Sequence, residues 1–221
     1  MWLLSRRTIW RRRRRAQGSW RAARRRAMIA AMTRRAVPRK TTARYLENSA
    51  LHHLGRFSSS AGNLRRILMR KVEKSARAHG TDRDHGAALV AALIERFERS
   101  GLLDDGDYAK ARAVSLLRRG RSARAIRADL AAKGVARAEI DAALEGLSEE
   151  SAAPELAAAI THARRRRLGP YRPPADRAER RERDLASLAR AGFDYATARR
   201  IIEAEGPDAL EALSGADETP P

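Results

Sequence analysis

Apolar residues recur along this chain at steps of three and four, with polar residues between them. That is the spacing of amphipathic helices. Tyr45, Leu46, Ala50, Leu51 and Leu54 mark a helix over about 42–54. Gly55-Arg56-Phe57 breaks it, and the serines at 58–60 offer N-cap hydroxyls to a second helix over about 61–78. Leu64, Ile67, Leu68 and Val72 form its inward face. A polar turn at 80–86 precedes a third helix, about 87–100, with Leu89, Val90, Leu93, Ile94 and Phe97 inward and Gly101 just past its end. Leu102 and Leu103 pack in a tight turn, and Asp104 or Asp105 caps a helix over about 107–118. Two more helices follow, about 122–132, capped by Ser122, and about 135–147.

Small and acidic residues at 148–154 read as a linker. Beyond it a helix runs from about 155 through Arg164, Arg165, Arg166 and Arg167. Gly169-Pro170-Tyr171-Arg172-Pro173-Pro174 interrupts it with extended chain. A further helix spans about 177–190, and a last one begins near Gly192-Phe193-Asp194 and ends before Gly206-Pro207. Ser60/Leu64/Leu68, Ser122/Ile126/Leu130 and Asp194/Ala198/Ile202 share a cap-apolar-apolar spacing, so the pattern predicts three helical modules in tandem. The expected division is a basic leader at 1–40, modules at 41–86, 87–148 and 149–214, and a disordered tail at 215–221. The fold class is all-α, with no period-2 run of β-branched residues to suggest strands.

Charge changes this picture. The chain has 221 residues with 47 basic and 27 acidic side chains, a net charge of +20. Residues 1–40 hold 15 basic residues and no acidic one. The remainder is far closer to balance. Such a surface fits a polyanionic partner, above all nucleic acid, and equally fits a solvated face plus a basic tail. The leader interleaves Trp2, Leu3, Leu4, Ile9, Trp10 and Trp20 with arginines, and so lacks the continuous apolar stretch of a secretory signal. A transit peptide, a membrane-surface helix or translation starting at Met28 or Met32 all fit its composition. With no cysteine, disulfides and thiolate chemistry are excluded. No apolar run approaches the ~20 residues of a membrane-spanning helix.

No catalytic constellation emerges. Asp104, Asp105 and Asp107 read as helix caps and first-turn acids rather than metal ligands, because no late glutamate or histidine completes a site. The five histidines lack zinc spacing, and no phosphate-cradling glycine loop is present, so no metal or cofactor is expected. Three basic patches are the candidate contacts: Arg65, Arg66, Arg70 and Lys71; then Arg118, Arg119, Arg121, Arg124, Arg127 and Lys133; then Arg164, Arg165, Arg166 and Arg167. Arg124 and Arg127 lie on or beside one helix face, where guanidinium groups can fork onto phosphates or carboxylates, or simply meet acidic neighbours on a hydrated surface.

The segment around Gly101-Leu102-Leu103-Asp104-Asp105, with Tyr108-Ala109, Arg119-Gly120, Arg127, Leu130, Lys133-Gly134-Val135 and Ile140, resembles the RecX family of regulatory proteins. Leu188-Ala189-Arg190-Ala191-Gly192-Phe193-Asp194-Tyr195 is similar to its last module, while the first module matches in helix pattern only. The resemblance implies tandem three-helix modules like helix-turn-helix units, in an elongated and curved body. It implies a cytoplasmic bacterial protein without catalytic activity, and the several linked modules of this chain suggest a monomer. Such a protein binds the RecA filament on single- or double-stranded DNA and mostly inhibits it, in the setting of homologous recombination, DNA repair and the SOS response. Gly101, Leu102, Leu103, Asp104, Asp105, Tyr108, Gly120, Leu130, Gly134, Ile140, Gly192 and Phe193 are then mainly structural. The chain departs from the family pattern in its long leader, in a modified joint at 73–86, and at 169–174, which is expected to loosen the third module. A general or sequence-specific DNA-binding protein is the alternative reading, though no dimerisation helix is evident.

Overall fold

Helix ends in this chain are written by short polar caps and glycines, and the computed structural model bears this out at most junctions. It describes residues 38–150 and 153–215; the expected leader (apart from 38–40) and all but Gly215 of the expected tail lie outside them. The first three helices are α1 (Ala43–Leu54), α2 (Ala61–His79) and α3 (Arg83–Arg99). The next three are α4 (Asp105–Arg118), α5 (Ala123–Lys133) and α6 (Arg137–Glu150). The last four are α7 (Pro154–Arg166), α8 (Pro174–Ala191), α9 (Tyr195–Ile202) and α10 (Pro207–Gly215), with a 3-10 turn at Gly169–Tyr171 between α7 and α8. No strand occurs among the described residues. Thr42, Ser60, Asp82, Asp104, Ser122 and Asp194 each accept a hydrogen bond from a backbone N–H of the helix they cap.

Three separate apolar cores divide the helices into three modules. Leu46, Leu64, Leu68, Val72, Val90, Ile94, Phe97 and Leu103 form the first. Tyr108, Ala113, Ile126, Leu130, Val135, Ile140 and Leu147 form the second. Leu156, Ile160, Leu168, Leu185, Leu188, Phe193, Ile201 and Leu210 form the third. The helix expected over 87–100 therefore belongs to the first module, not the central one. It is also longer, because Asp82 caps it four residues earlier than expected. The boundary falls in the turn between Arg99 and Asp105. There the N–H groups of Gly101 and Leu102 close onto the carbonyls of Glu98 and Phe97, a Schellman ending. Leu103 is buried in that turn, but Leu102 points into solvent.

The repeat is real, though its register differs from the one read in sequence. The second helix of each module ends at a left-handed glycine, Gly80, Gly134 or Gly192, and the third helix begins three residues later. Ser60 and Ser122 cap second helices, whereas Asp194 caps a third helix. A four-residue spacing after a cap belongs to any amphipathic helix and could not tell these apart. Nor does the proline-containing segment loosen the third module. Pro170 is buried, Gly169 N–H donates to Asp184 Oδ2 at 2.9 Å, and Arg172 grips both oxygens of Asp184 at 2.7 and 2.8 Å. Arg177 donates to the carbonyls of Pro170, Arg172 and Glu205 and binds the same segment to the chain after α9.

Candidate nucleic-acid and partner interface

Modules meet through a joint that occurs twice with the same chemistry. Ser60 Oγ, capping α2, accepts from Asn63 N–H and donates to the Lys133 carbonyl at the end of α5, 2.6 Å away. Beside it Ala61 N–H donates to Asp105 Oδ1 at 2.7 Å. One module further on, Ser122 Oγ accepts from Ala125 N–H and donates to the Ala191 carbonyl at the end of α8, 2.7 Å away. Ala123 N–H donates to Glu155 Oε2 at 2.9 Å. In each case the second helix of one module sets its N-terminus against the glycine turn of the next. Orphan N–H groups of the helix start and carbonyls of the helix end thereby satisfy one another. Burial pushes the carboxyls of Asp105 and Glu155 up. The N–H bonds from Ala61 and Ala123 oppose it, and neighbouring Glu139 and Asp104, or Asp194, add to it.

These joints are what the sequence reading missed. Asp104 is the cap and Asp105 a first-turn acid, as the sequence reads them, but Asp105 also reaches across to α2. A signal was present in Ser60-Ala61 and Ser122-Ala123 followed by Lys133-Gly134 and Ala191-Gly192. Only the contact shows that each serine serves the glycine turn of the following module.

The joints also sort the basic residues. Arg65, Arg66 and Arg70 are exposed on α2, and Arg66 reaches no further than the Gly62 carbonyl of its own helix. Lys71 lies over the Tyr45 ring at 5.4 Å. Arg65 lines a cleft at the first joint whose other charged groups are Glu98, Asp104, Asp105 and Glu139. Arg127 is taken up by an ion pair with Asp141 of α6. Arg124 lies at the second joint, where its Cβ and Nε flank Gly192. Lys133 is half-buried and contributes its carbonyl to the first joint. Arg164 is paired with Glu211 at 2.7 Å and lies over the Tyr171 ring. Arg167 is exposed and ends α7 in the left-handed region, at φ 54°.

Arg118, Arg119, Arg121, Arg165 and Arg166 remain exposed, and none makes an ion pair among the described residues. Two patches separate in sequence here become one. Gly120 ends α4 at φ 75°, and a Cβ there would lie 2.8 Å from the backbone nitrogen of His162 on α7. Only glycine permits that approach. Arg119 and Arg121 are thus held against the last turn of α7, and Arg165 donates to the Arg119 carbonyl at 3.0 Å. His162 reports the convergence. Burial holds its imidazole below the ordinary value, the Gly120 backbone opposes this, and Arg166, Arg121 and Arg165 push it down further.

Among the described residues no group of three or more His, Cys, Asp or Glu side chains is placed to hold a metal ion, and no helix is long and apolar enough to cross a membrane. The signature residues occupy packing and turn positions: Tyr108, Leu130, Ile140 and Phe193 are buried, and Gly101, Gly120, Gly134 and Gly192 are left-handed turns.

Comparison with known proteins agrees with this architecture. A family model for RecX, second three-helix domain, matches residues 104–144, which are α4, α5 and most of α6. Regulatory protein RecX of Myxococcus xanthus is 44% identical over 167 residues, covering 75% of this chain and 88% of the relative. Regulatory protein RecX of Agrobacterium fabrum is 31% identical over 176 residues, covering 78% of this chain and 89% of the relative. The crystal structure of RecX from Lactobacillus salivarius superposes with a TM-score of 0.51 at 17% identity, covering 73% of this chain and 94% of that one, which shows a shared fold. With the three-module array and its close relatives in hand, the chain belongs to the RecX family of regulatory proteins.

Proposed function

We propose that this chain regulates the RecA recombinase by binding its filament on DNA, and that it mostly restrains the filament's activity. RecX proteins are non-catalytic regulators, so the effect comes from binding. The observation that carries the reading is the repeated joint. Ser60 with Asp105, and Ser122 with Glu155, lock three modules into one array. A locked array presents surfaces at fixed spacing, and a filament presents repeated sites at fixed spacing. Modest contacts then combine, because each bound module raises the effective concentration of the next. Bridging neighbouring subunits alters growth and loss of the filament without chemistry. The partners are the filament and its single- or double-stranded DNA, the active form is a monomer, and the place of action is the bacterial cytoplasm.

The test is binding to single-stranded DNA with and without recombinase and ATP, at two salt concentrations. Tighter association with the recombinase–DNA filament, together with slower filament growth or strand exchange, is the expected result. Equal and strongly salt-dependent binding to bare DNA, with no effect on the recombinase, refutes it in favour of a general DNA-binding protein.

A further inference from the structure

Basic residues from two modules meet at the second joint, Arg119 and Arg121 from the turn after α4 and Arg165 and Arg166 from the end of α7: Arg165 donates to the Arg119 carbonyl, and the guanidinium groups of Arg121, Arg165 and Arg166 act together on His162. All four are exposed, and no carboxylate pairs with any of them among the described residues. Other arginines are neutralised, as Arg112 is by Asp129, Arg127 by Asp141, Arg164 by Glu211 and Arg181 by Glu203, while Arg65, Arg66 and Arg70 on α2 also make no ion pair among the described residues; convergence across a joint is what sets this cluster apart. Arg121 acts on the Asp129 carboxylate, which Arg112 already grips, but the like charges of the cluster still repel one another, and a polyanion relieves that repulsion on binding.

The surroundings distinguish a nucleic acid from an acidic protein. A protein-binding patch centres on exposed apolar or aromatic anchors and is depleted of charge at its core, whereas nucleic-acid surfaces are polar and strongly positive. Large exposed apolar side chains here are Leu51 and Phe57 on the first module and Leu102 at its junction with the second. Among the described residues of the second and third modules, only Tyr195 is large, apolar and exposed. The arginine cluster thus consists of charged groups, with Tyr195 at the start of α9 the one large exposed aromatic on these two modules among the described residues. Its groups also come from both sides of a locked joint, so two modules present them together to one ligand.

We infer that the edge formed by Arg119, Arg121, Arg165 and Arg166 is the nucleic-acid contact of this protein, taking successive backbone phosphates across the joint between its second and third modules. This rests on reading the chain as a regulator that works on a DNA-bound filament, and it gives the DNA a site of its own. Arg127, which the sequence favours, is taken up by Asp141 and is not part of it, whereas Arg124 stands at the same joint beside Gly192.

The experiment compares two triple variants of the full chain that remove equal charge: R119A/R121A/R166A at the joint and R65A/R66A/R70A on α2. Arg165 is kept because it is tied to the Arg119 carbonyl. Binding to a labelled single-stranded oligonucleotide is measured from 0.05 to 0.3 M salt without recombinase. Loss of three phosphate contacts flattens the log–log salt slope by about 2 and weakens binding on the order of 100-fold at 0.1 M salt. The α2 variant stays within a few-fold of the parent protein. In the parent protein, oligonucleotide also raises the His162 imidazole titration followed by NMR, because bound phosphates cancel the field of Arg121, Arg165 and Arg166. Far-UV circular dichroism checks folding. If the joint triple unfolds, the single substitution R166E serves instead, since Arg166 is exposed and makes no ion pair.

Unchanged affinity and slope in the joint variant overturn the inference, and so does an equal loss in both triples, which reports net charge alone. Retained DNA binding with lost capture of DNA-free recombinase overturns it as well, by assigning the cluster to an acidic protein surface. The two proposals fail separately. Unchanged DNA binding with normal filament restraint removes this site and leaves the regulator standing. A parent protein without effect on recombinase removes the regulator and leaves a DNA contact whose loss the joint triple still reads.

Discussion

Replacing Ser122 by alanine tests the joint that the whole array depends on. The hydroxyl is fully buried, accepts from Ala125 N–H at 3.2 Å and donates to the Ala191 carbonyl at 2.7 Å. Loss of an N-cap costs about 1 kcal/mol. Leaving a buried carbonyl without its donor costs a further ~1–3 kcal/mol. Ser122→Ala therefore destabilises by about 2–4 kcal/mol in urea unfolding followed by far-UV circular dichroism. Thr42→Ala is the internal reference. Thr42 caps α1 by accepting from Tyr45 N–H at 3.2 Å, but it is exposed and serves no second module. Its loss costs only the cap, about 1 kcal/mol. The difference between the two variants is the contribution of the joint. Nearest-neighbour coupling in a repeat array also means that Ser122→Ala broadens the transition, as the third module begins to unfold apart from the second. Equal costs for Ser122→Ala and Thr42→Ala, with an unbroadened transition, would refute the claim that the Ser122 hydroxyl couples two modules.

Three further outcomes follow from the same geometry. Arg172→Met leaves the buried Asp184 carboxylate without its bidentate partner and costs about 3–5 kcal/mol by urea unfolding at pH 7; a cost below 1 kcal/mol contradicts the pairing. Burial pushes Asp184 up, yet Arg172 and Gly169 N–H outweigh it and hold the carboxyl below its ordinary value. Its contribution is thus present above the ordinary carboxylate range and lost as pH falls through the depressed value, so the parent–variant difference shrinks in strong acid. Asp105 and Glu155 carry the opposite sign: their raised carboxyls make the folded state bind protons first, so stability from these groups rises as pH falls from neutral toward the ordinary carboxylate range. Asp105→Asn keeps an acceptor for Ala61 N–H, is neutral or stabilising at pH 7, and flattens that rise; a clear loss at pH 7 with an unchanged pH profile counts against it. Gly120→Ala forces a left-handed alanine and sets a Cβ 2.8 Å from His162 N, costing about 2–5 kcal/mol, whereas Gly80→Ala at φ 64° meets open space and costs only ~1–2 kcal/mol. Thermal unfolding of the pair decides, and equal costs mean that the α4–α7 approach is not tight.

Helices were legible because their signals are local. Caps such as Ser60, Asp104 and Ser122 and the glycine ending at Gly101 act within one turn, and apolar stripes at steps of three and four announce which face is buried. Where two such signals competed, the sequence misled. Residues 83–86 are polar enough to read as turn, yet Asp82 caps them into α3. The sequence places 207–214 in the third module but ends its last helix before Gly206-Pro207, although Pro207 at the first helical position and fully buried Leu210 make α10. The proline segment looked loose because its anchors, Arg172, Arg177 and Asp184, are distant in sequence from the atoms they hold.

Taken by itself, the sequence determined an all-α chain, the approximate extent of most helices, a central module of recognisable family and a strongly basic surface without a metal or nucleophile motif. Those properties follow from short-range periodicity and from residue chemistry. Only the tertiary structure decided which helices share a core, that α3 belongs with α1 and α2, and that Ser60 and Ser122 hold modules together. It also decided which arginines are spent on carboxylates and which stand free. A sequence shows that Arg127 and Asp141, or Arg119 and Arg165, are present, but whether two charges meet depends on the packing of helices far apart in the chain.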